Sequence, residues 1–111
     1  PEDRRAGFKD WRAFEVIHSN YKTYFYNDHA VDPEPVEGYQ TDVLVDRAIA
    51  YLRSYTRTEP LYLVLSIEPP HFPLEVPERF KRWDPATLTL RANCDDTKQR
   101  REEIANYYAM I

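Results

Sequence analysis

The chain has 111 residues, 42% of them hydrophobic and 31% charged, which is one globular domain or part of one and not a disordered segment. Fifteen basic against nineteen acidic residues give a net charge of −4, so charge supplies no reason to expect nucleic acid or an anionic membrane as partner. No apolar run approaches the roughly 20 residues that a membrane-spanning helix needs, and the single cysteine, Cys94, excludes a disulfide within the chain.

Tyrosine is the dominant aromatic, nine residues in all, and suits half-buried surfaces and clefts. Two glycines against nine prolines favour stiff connections. Residues 1–10 are charged and read as irregular. Ala13–His18 reads as a strand and Tyr21–Tyr26 as a second extended piece, with Ser19-Asn20 as the turn of a hairpin. Asn27–Gly38 holds two prolines, a glycine and several acidic residues and reads as a loop. A helix follows. Thr41 is its candidate cap, Asp42 suits its first turn, and Leu44, Ala48, Tyr51, Leu52 and Tyr55 fall on one face. Thr58-Glu59-Pro60 stops it.

Leu61–Ile67 is a continuous apolar run and predicts a strand buried on both faces. It leads into His71, held between Pro69, Pro70 and Pro73. In open α/β sheets, ligands bind beyond the carboxyl ends of strands, so His71 is the leading candidate site residue. Its imidazole could bind an anion or act as a general acid; the plainer reading is a turn histidine bonded to a backbone carbonyl. Further on, Glu78–Arg82 predicts a short helix behind Pro77, and Asp84–Asn93 an irregular stretch. Asp96 and Gln99 resemble a capping box, and a last helix from Thr97 carries Ile104, Tyr107, Tyr108 and Ile111 on one face.

Other candidates carry less. Asp95 and Asp96 beside Cys94 oppose a thiolate nucleophile. Asp28, His29, Asp32, Glu34 and Glu37 match no EF-hand spacing and read as solvated loop charge, and His18 has no partner motif. Tyr21, Tyr24, Phe25 and Tyr26 would line a pocket or form a half-buried hairpin face. Lys98, Arg100 and Arg101 read as a solvated helix start. The stripe that runs to Ile111, and one strong strand without neighbours, lead to the expectation that residues 1–111 are a single partial domain, an internal segment of a longer one.

Several pieces, taken in order, resemble a known family. They are Gly7-Phe8-Lys9-Asp10-Trp11, Glu37-Gly38-Tyr39-Gln40-Thr41-Asp42 through Ile49, Leu61–Ser66, Pro70-His71-Phe72-Pro73 and Tyr107–Ile111. Together they resemble the middle of a type I, formylglycine-dependent sulfatase. The resemblance implies an α/β fold, part of an alkaline-phosphatase-like α/β/α sandwich with a central buried strand and flanking helices. It also implies hydrolysis of sulfate esters with a formylglycine and a calcium ion. The family's His-x-Pro histidine, which contacts the sulfate and serves the leaving oxygen, maps onto His71. The Cys/Ser-x-Pro-x-Arg motif that yields formylglycine is absent, as are the family's upstream and downstream calcium ligands. The expectation is a chain inactive alone, binding neither group itself; its compartment is unknown from the sequence, and a periplasmic, extracellular or lysosomal one would fit the family. Two alternatives stay open: a fragment of a related phosphodiesterase or phosphonate hydrolase, or a non-catalytic module that self-associates through an exposed strand edge.

Overall fold

The computed structural model describes residues 5–111 and shows a small mixed α/β chain. The chain forms two compact units, one ending at Ser66 and one running Ile67–Ile111. Residues 1–4, part of the predicted irregular start, lie outside the described residues.

The first unit is built on a three-stranded sheet in the order β1-β2-β3, both pairs antiparallel: β1 is Arg12–Ala13, β2 Thr23–Asn27 and β3 Glu34–Val36. The predicted hairpin is there in outline, since Arg12 pairs with Asn27 and Ala13 with Tyr26. Its first strand is shorter than Ala13–His18, and Ser19-Asn20 sits in a long connection rather than a tight turn. The Trp11 amide donates to Asp28 Oδ1 at 2.7 Å, and the Asp28 amide donates to the Trp11 carbonyl at 2.7 Å. β3 arises inside the stretch read as a loop. Pro35 cannot donate to a ladder, but at a sheet edge that loss is tolerated.

Helix α1 spans Gln40–Ser54. Gly38, at φ +100°, turns the chain into it. Its cap residue is Tyr39, without a side-chain bond, and not Thr41. The helix starts earlier because Gln40 is wholly buried: its amide N–H donates to the Asn20 carbonyl at 2.7 Å and its side-chain amide to Thr23 Oγ1 at 3.2 Å. Those bonds satisfy one orphan donor of the helix start and the Gln40 side-chain NH2, while Gln40 Oε1 is buried without a hydrogen bond. Leu44, Ala48, Tyr51 and Tyr55 are half-buried as the spacing predicts, while Leu52 is exposed. Phe25 is the centre of this unit's core, its ring edge-to-face with Phe14 at 5.8 Å and under the Arg47 guanidinium at 5.1 Å.

The central buried strand expected at Leu61–Ile67 does not form among the described residues. No described segment forms a ladder with these residues, and their side chains are exposed, Tyr62 by 77% and Val64 by 53%. A strand needs a neighbour for its backbone groups as well as apolar side chains. Residues 61–66 instead line a cleft of about 730 Å³ that they share with Phe8, Trp11, Leu44 and Tyr51.

In the second unit, the predicted helix at Glu78–Arg82 is a single 3-10 turn, Glu78–Phe80, with Pro77 as its cap. The stretch read as irregular contains another 3-10 turn, Pro85–Thr87, capped by Asp84 through a bond from the Ala86 amide. Helix α2 spans Lys98–Ala109, and Thr97 caps it by accepting from the Arg100 amide at 3.1 Å. Asp96 is no cap. It accepts from Arg101 Nε at 2.5 Å and Nη2 at 2.9 Å, while Arg101 Nη1 donates to the carbonyls of Pro85 at 3.1 Å and Leu88 at 2.8 Å. Arg101, read as solvated charge, thus fastens α2 to the preceding turn. Ala105 is the buried residue of α2, and Tyr107, Tyr108 and Ile111 are exposed.

Candidate functional site

The site is the proline-bounded turn Glu68–Pro73. Glu68, Pro69, Pro70 and His71 make a four-residue reversal closed by the His71 amide, which donates to the Glu68 carbonyl at 3.0 Å. The Pro69-Pro70 and Phe72-Pro73 peptides are cis, and a cis proline at the third position is the mark of a type VI turn. With φ of the prolines fixed by their rings, the turn has few alternative shapes, and His71 projects from its last position.

The His71 side chain is 59% exposed and the Glu68 side chain only 12%. His71 Nδ1 lies 2.6 Å from the Phe72 carbonyl oxygen and 4.0 Å from Glu68 Oε1. Both neighbours are acceptors, so Nδ1 is the nitrogen that donates. The arrangement provides an accessible imidazole with one nitrogen anchored and a carboxylate next to it. Such a group can bind an oxyanion when protonated and can deliver a proton to a departing oxygen.

Cys94 is half-buried and lines a separate groove of about 570 Å³ with Arg91, Arg100, Ile104 and Tyr108. Among the described residues, two of the acidic side chains of 28–37 are engaged by protein donors. Asp28 accepts from the Trp11 amide, and Glu34 is taken by Asn27 at 2.6 Å and Arg47 at 2.8 Å. Those partners, the Asn27 bond above all, hold the Glu34 carboxyl below the usual carboxylate range. His18 and His29 are exposed on the first unit. Phe25 belongs to the core, Tyr24 donates to the Glu15 carbonyl at 2.7 Å and Tyr21 packs on Tyr39, so the aromatic cluster is chiefly structural. Glu68 was not singled out by sequence reasoning. The signal was there in its position three residues before the histidine across two prolines.

With the geometry in place, comparison with known proteins adds one finding of weight. The chain is 32% identical over 114 residues to an ulvan-active sulfatase of Formosa agariphila, and the match takes in 98% of the chain. The chain is sulfatase-like along nearly its whole length. It spans 22% of that relative's length. No family model matches the sequence, and no solved structure matches it.

Proposed function

We propose that this chain is part of a sulfatase that hydrolyses sulfate esters, and that His71 contacts the sulfate and serves the oxygen that leaves. The observation that carries the reading is the similarity to a sulfatase across 98% of the chain, which includes the His71-Phe72-Pro73 turn. The exposed imidazole anchored through Nδ1 supports the role given to His71. The relative's name adds sulfated ulvan as a substrate to try. In this reading Leu61–Ile67 is a strand of an alkaline-phosphatase-like α/β/α sandwich, completed by neighbours from outside these 111 residues. Its exposed apolar side chains and the cleft beside it support that.

The reading assigns the formylglycine nucleophile and the calcium ion of a type I enzyme to sequence outside these residues. No Cys/Ser-x-Pro-x-Arg motif is present to supply the first, and the acidic loop of the first unit is engaged by protein donors. The purified 111-residue chain is therefore expected to show no turnover of an aryl sulfate with or without calcium; calcium-dependent release of the aryl alcohol would refute this. The role of His71 is tested in the full-length natural chain that contains these residues. His71→Ala should lower kcat for aryl sulfate or ulvan by roughly 10²- to 10⁴-fold, the contribution of a positioned proton donor. Unchanged turnover in a folded variant would remove His71 from the site.

A further inference from the structure

We infer that the groove of the second unit, between residues 88–95 and helix α2, binds a sugar polymer that carries sulfate or carboxylate groups. Arg91 and Arg100 hold the anions, and Tyr107 and Tyr108 lie against the sugar rings. The choice of a sugar polymer rests on the sulfate-ester reading above; the cationic and aromatic character of the groove stands without it.

The groove begins with the sequence of α2. Arg100, Ile104, Tyr107 and Tyr108 fall at i, i+4, i+7 and i+8, and so share one face of the helix. Residues 88–95 run past that face. Arg101 fastens their start, since its Nη1 donates to the Leu88 carbonyl at 2.8 Å. A turn closes their end, where the Cys94 amide donates to the Arg91 carbonyl at 2.9 Å. The concavity between them is about 570 Å³, within the roughly 300–1,000 Å³ usual for ligand sites.

Its lining suits an anion. Two arginines stand there against one carboxylate, Asp95, in a chain whose net charge is −4. The Arg91 guanidinium makes no hydrogen bond or ion pair among the described residues. Arg100 Nη1 donates to Glu103 Oε2 at 2.8 Å, which leaves other N–H donors of that guanidinium for a ligand. Guanidinium groups take oxyanions in a two-pronged geometry.

The rings suit a sugar. Tyr107 and Tyr108 are exposed, with centroids 6.3 Å apart. Trp83, also exposed, continues the platform 6.0 Å from Tyr108. Rings that pair an apolar face with a polar edge accept a ligand of the same kind. A pyranose has C–H groups on its face and hydroxyl or sulfate groups at its rim. An apolar cover over this groove would bury Arg91 without a counter-charge, at high cost. An anionic sugar supplies the counter-charge and covers the rings together.

The test titrates the full-length natural chain with dextran sulfate by calorimetry at about 0.15 M salt, where exposed charges are already screened. The wild type should bind, and neutral dextran should bind at least roughly tenfold more weakly. Arg91→Ala/Arg100→Ala should raise Kd by roughly 10- to 100-fold, and Tyr108→Ala by roughly 3- to 10-fold. Arg91→Ala alone, at an exposed position with no side-chain bond to lose, should raise it by at least about threefold. Arg53→Ala/Arg82→Ala removes the same charge from exposed positions outside the groove and should change Kd less than about twofold. Wild-type binding in the groove variants, equal weakening by the two arginine pairs, or no binding by the wild type overturns the inference. Binding is read without turnover, so the two readings separate. If the chain hydrolyses no sulfate ester but loses dextran sulfate with the groove arginines, the sulfatase reading falls and the groove stands. If it hydrolyses sulfate esters and the groove variants bind as the wild type does, only the groove falls.

Discussion

Truncation of Phe25 tests the packing that holds the first unit together. The ring is 1% exposed. It meets Phe14 edge-to-face, with centroids 5.8 Å apart and planes at 75°, and it carries the Arg47 guanidinium 5.1 Å above its face. Phe25 therefore joins β2 to the segment after β1 and to α1. Burial of such a ring contributes about 1.5–3 kcal/mol, an aromatic pair about 0.5–1.5 kcal/mol and an arginine over a ring about 0.5–1 kcal/mol. Phe25→Ala loses all three and leaves a cavity, a cost of about 3–5 kcal/mol. A core of this size supplies a stability of about 3–5 kcal/mol, so the first unit should be largely unfolded in this variant. Phe25→Leu keeps most of the apolar volume and loses the two ring interactions, about 1–2.5 kcal/mol. Urea titration followed by near-ultraviolet circular dichroism separates the cases. With a slope near 1 kcal/mol/M, the leucine variant should shift its midpoint down by roughly 1–2.5 M with the slope unchanged, and the alanine variant should have lost the signal before urea is added. An alanine variant with the wild-type midpoint and slope would refute the placement of Phe25 at the centre of the core.

Two further outcomes follow from other features. Asn27 and Arg47 lower the pKa of Glu34, and Arg101 lowers that of Asp96. A lowered folded-state value means a contribution that is complete above the ordinary carboxylate value, about 4, and is lost as pH falls through the folded value below it. Tm should therefore decline from about pH 5 downward, and less steeply in Glu34→Gln/Asp96→Asn; the same slope in the double variant would contradict these pairings. Exposed apolar side chains at Leu61–Ile67 are expected to promote association of the 111-residue chain. Val64→Lys should raise the protein concentration at which light scattering grows, and equal thresholds for variant and wild type would argue that this segment is not responsible.

What could be read from the sequence was what its neighbours in the chain determine. Helix α1 was legible because its apolar spacing is a property of one segment. Its first residue was misplaced because Thr41 has the chemistry of a cap, whereas the start depends on Gln40 reaching Thr23 and Asn20 in another part of the unit. β3 was hidden by Pro33 and Pro35, which argue against a strand unless the strand lies at an edge, and edge position cannot be seen before the sheet order is known. Arg101 looked like solvated charge for the same reason. Its Asp96 partner is five residues away, but the carbonyls of Pro85 and Leu88 that complete its bonds come from a turn more than ten residues earlier.

The contrast between His71 and Leu61–Ile67 makes the same point about function. The apolar run has the composition of a central strand, but a strand is a relation between two segments, and no described segment of this chain supplies the second. The His71 turn is different because its parts lie within six consecutive residues. A backbone bond from His71 to Glu68 and the Phe72 carbonyl beside Nδ1 both lie within the turn itself. A local device of that kind is readable from its residues. Its chemistry does not share that independence. An imidazole with its Nδ1 anchored can hold an oxyanion or deliver a proton, but only toward a substrate and a nucleophile that other segments must supply.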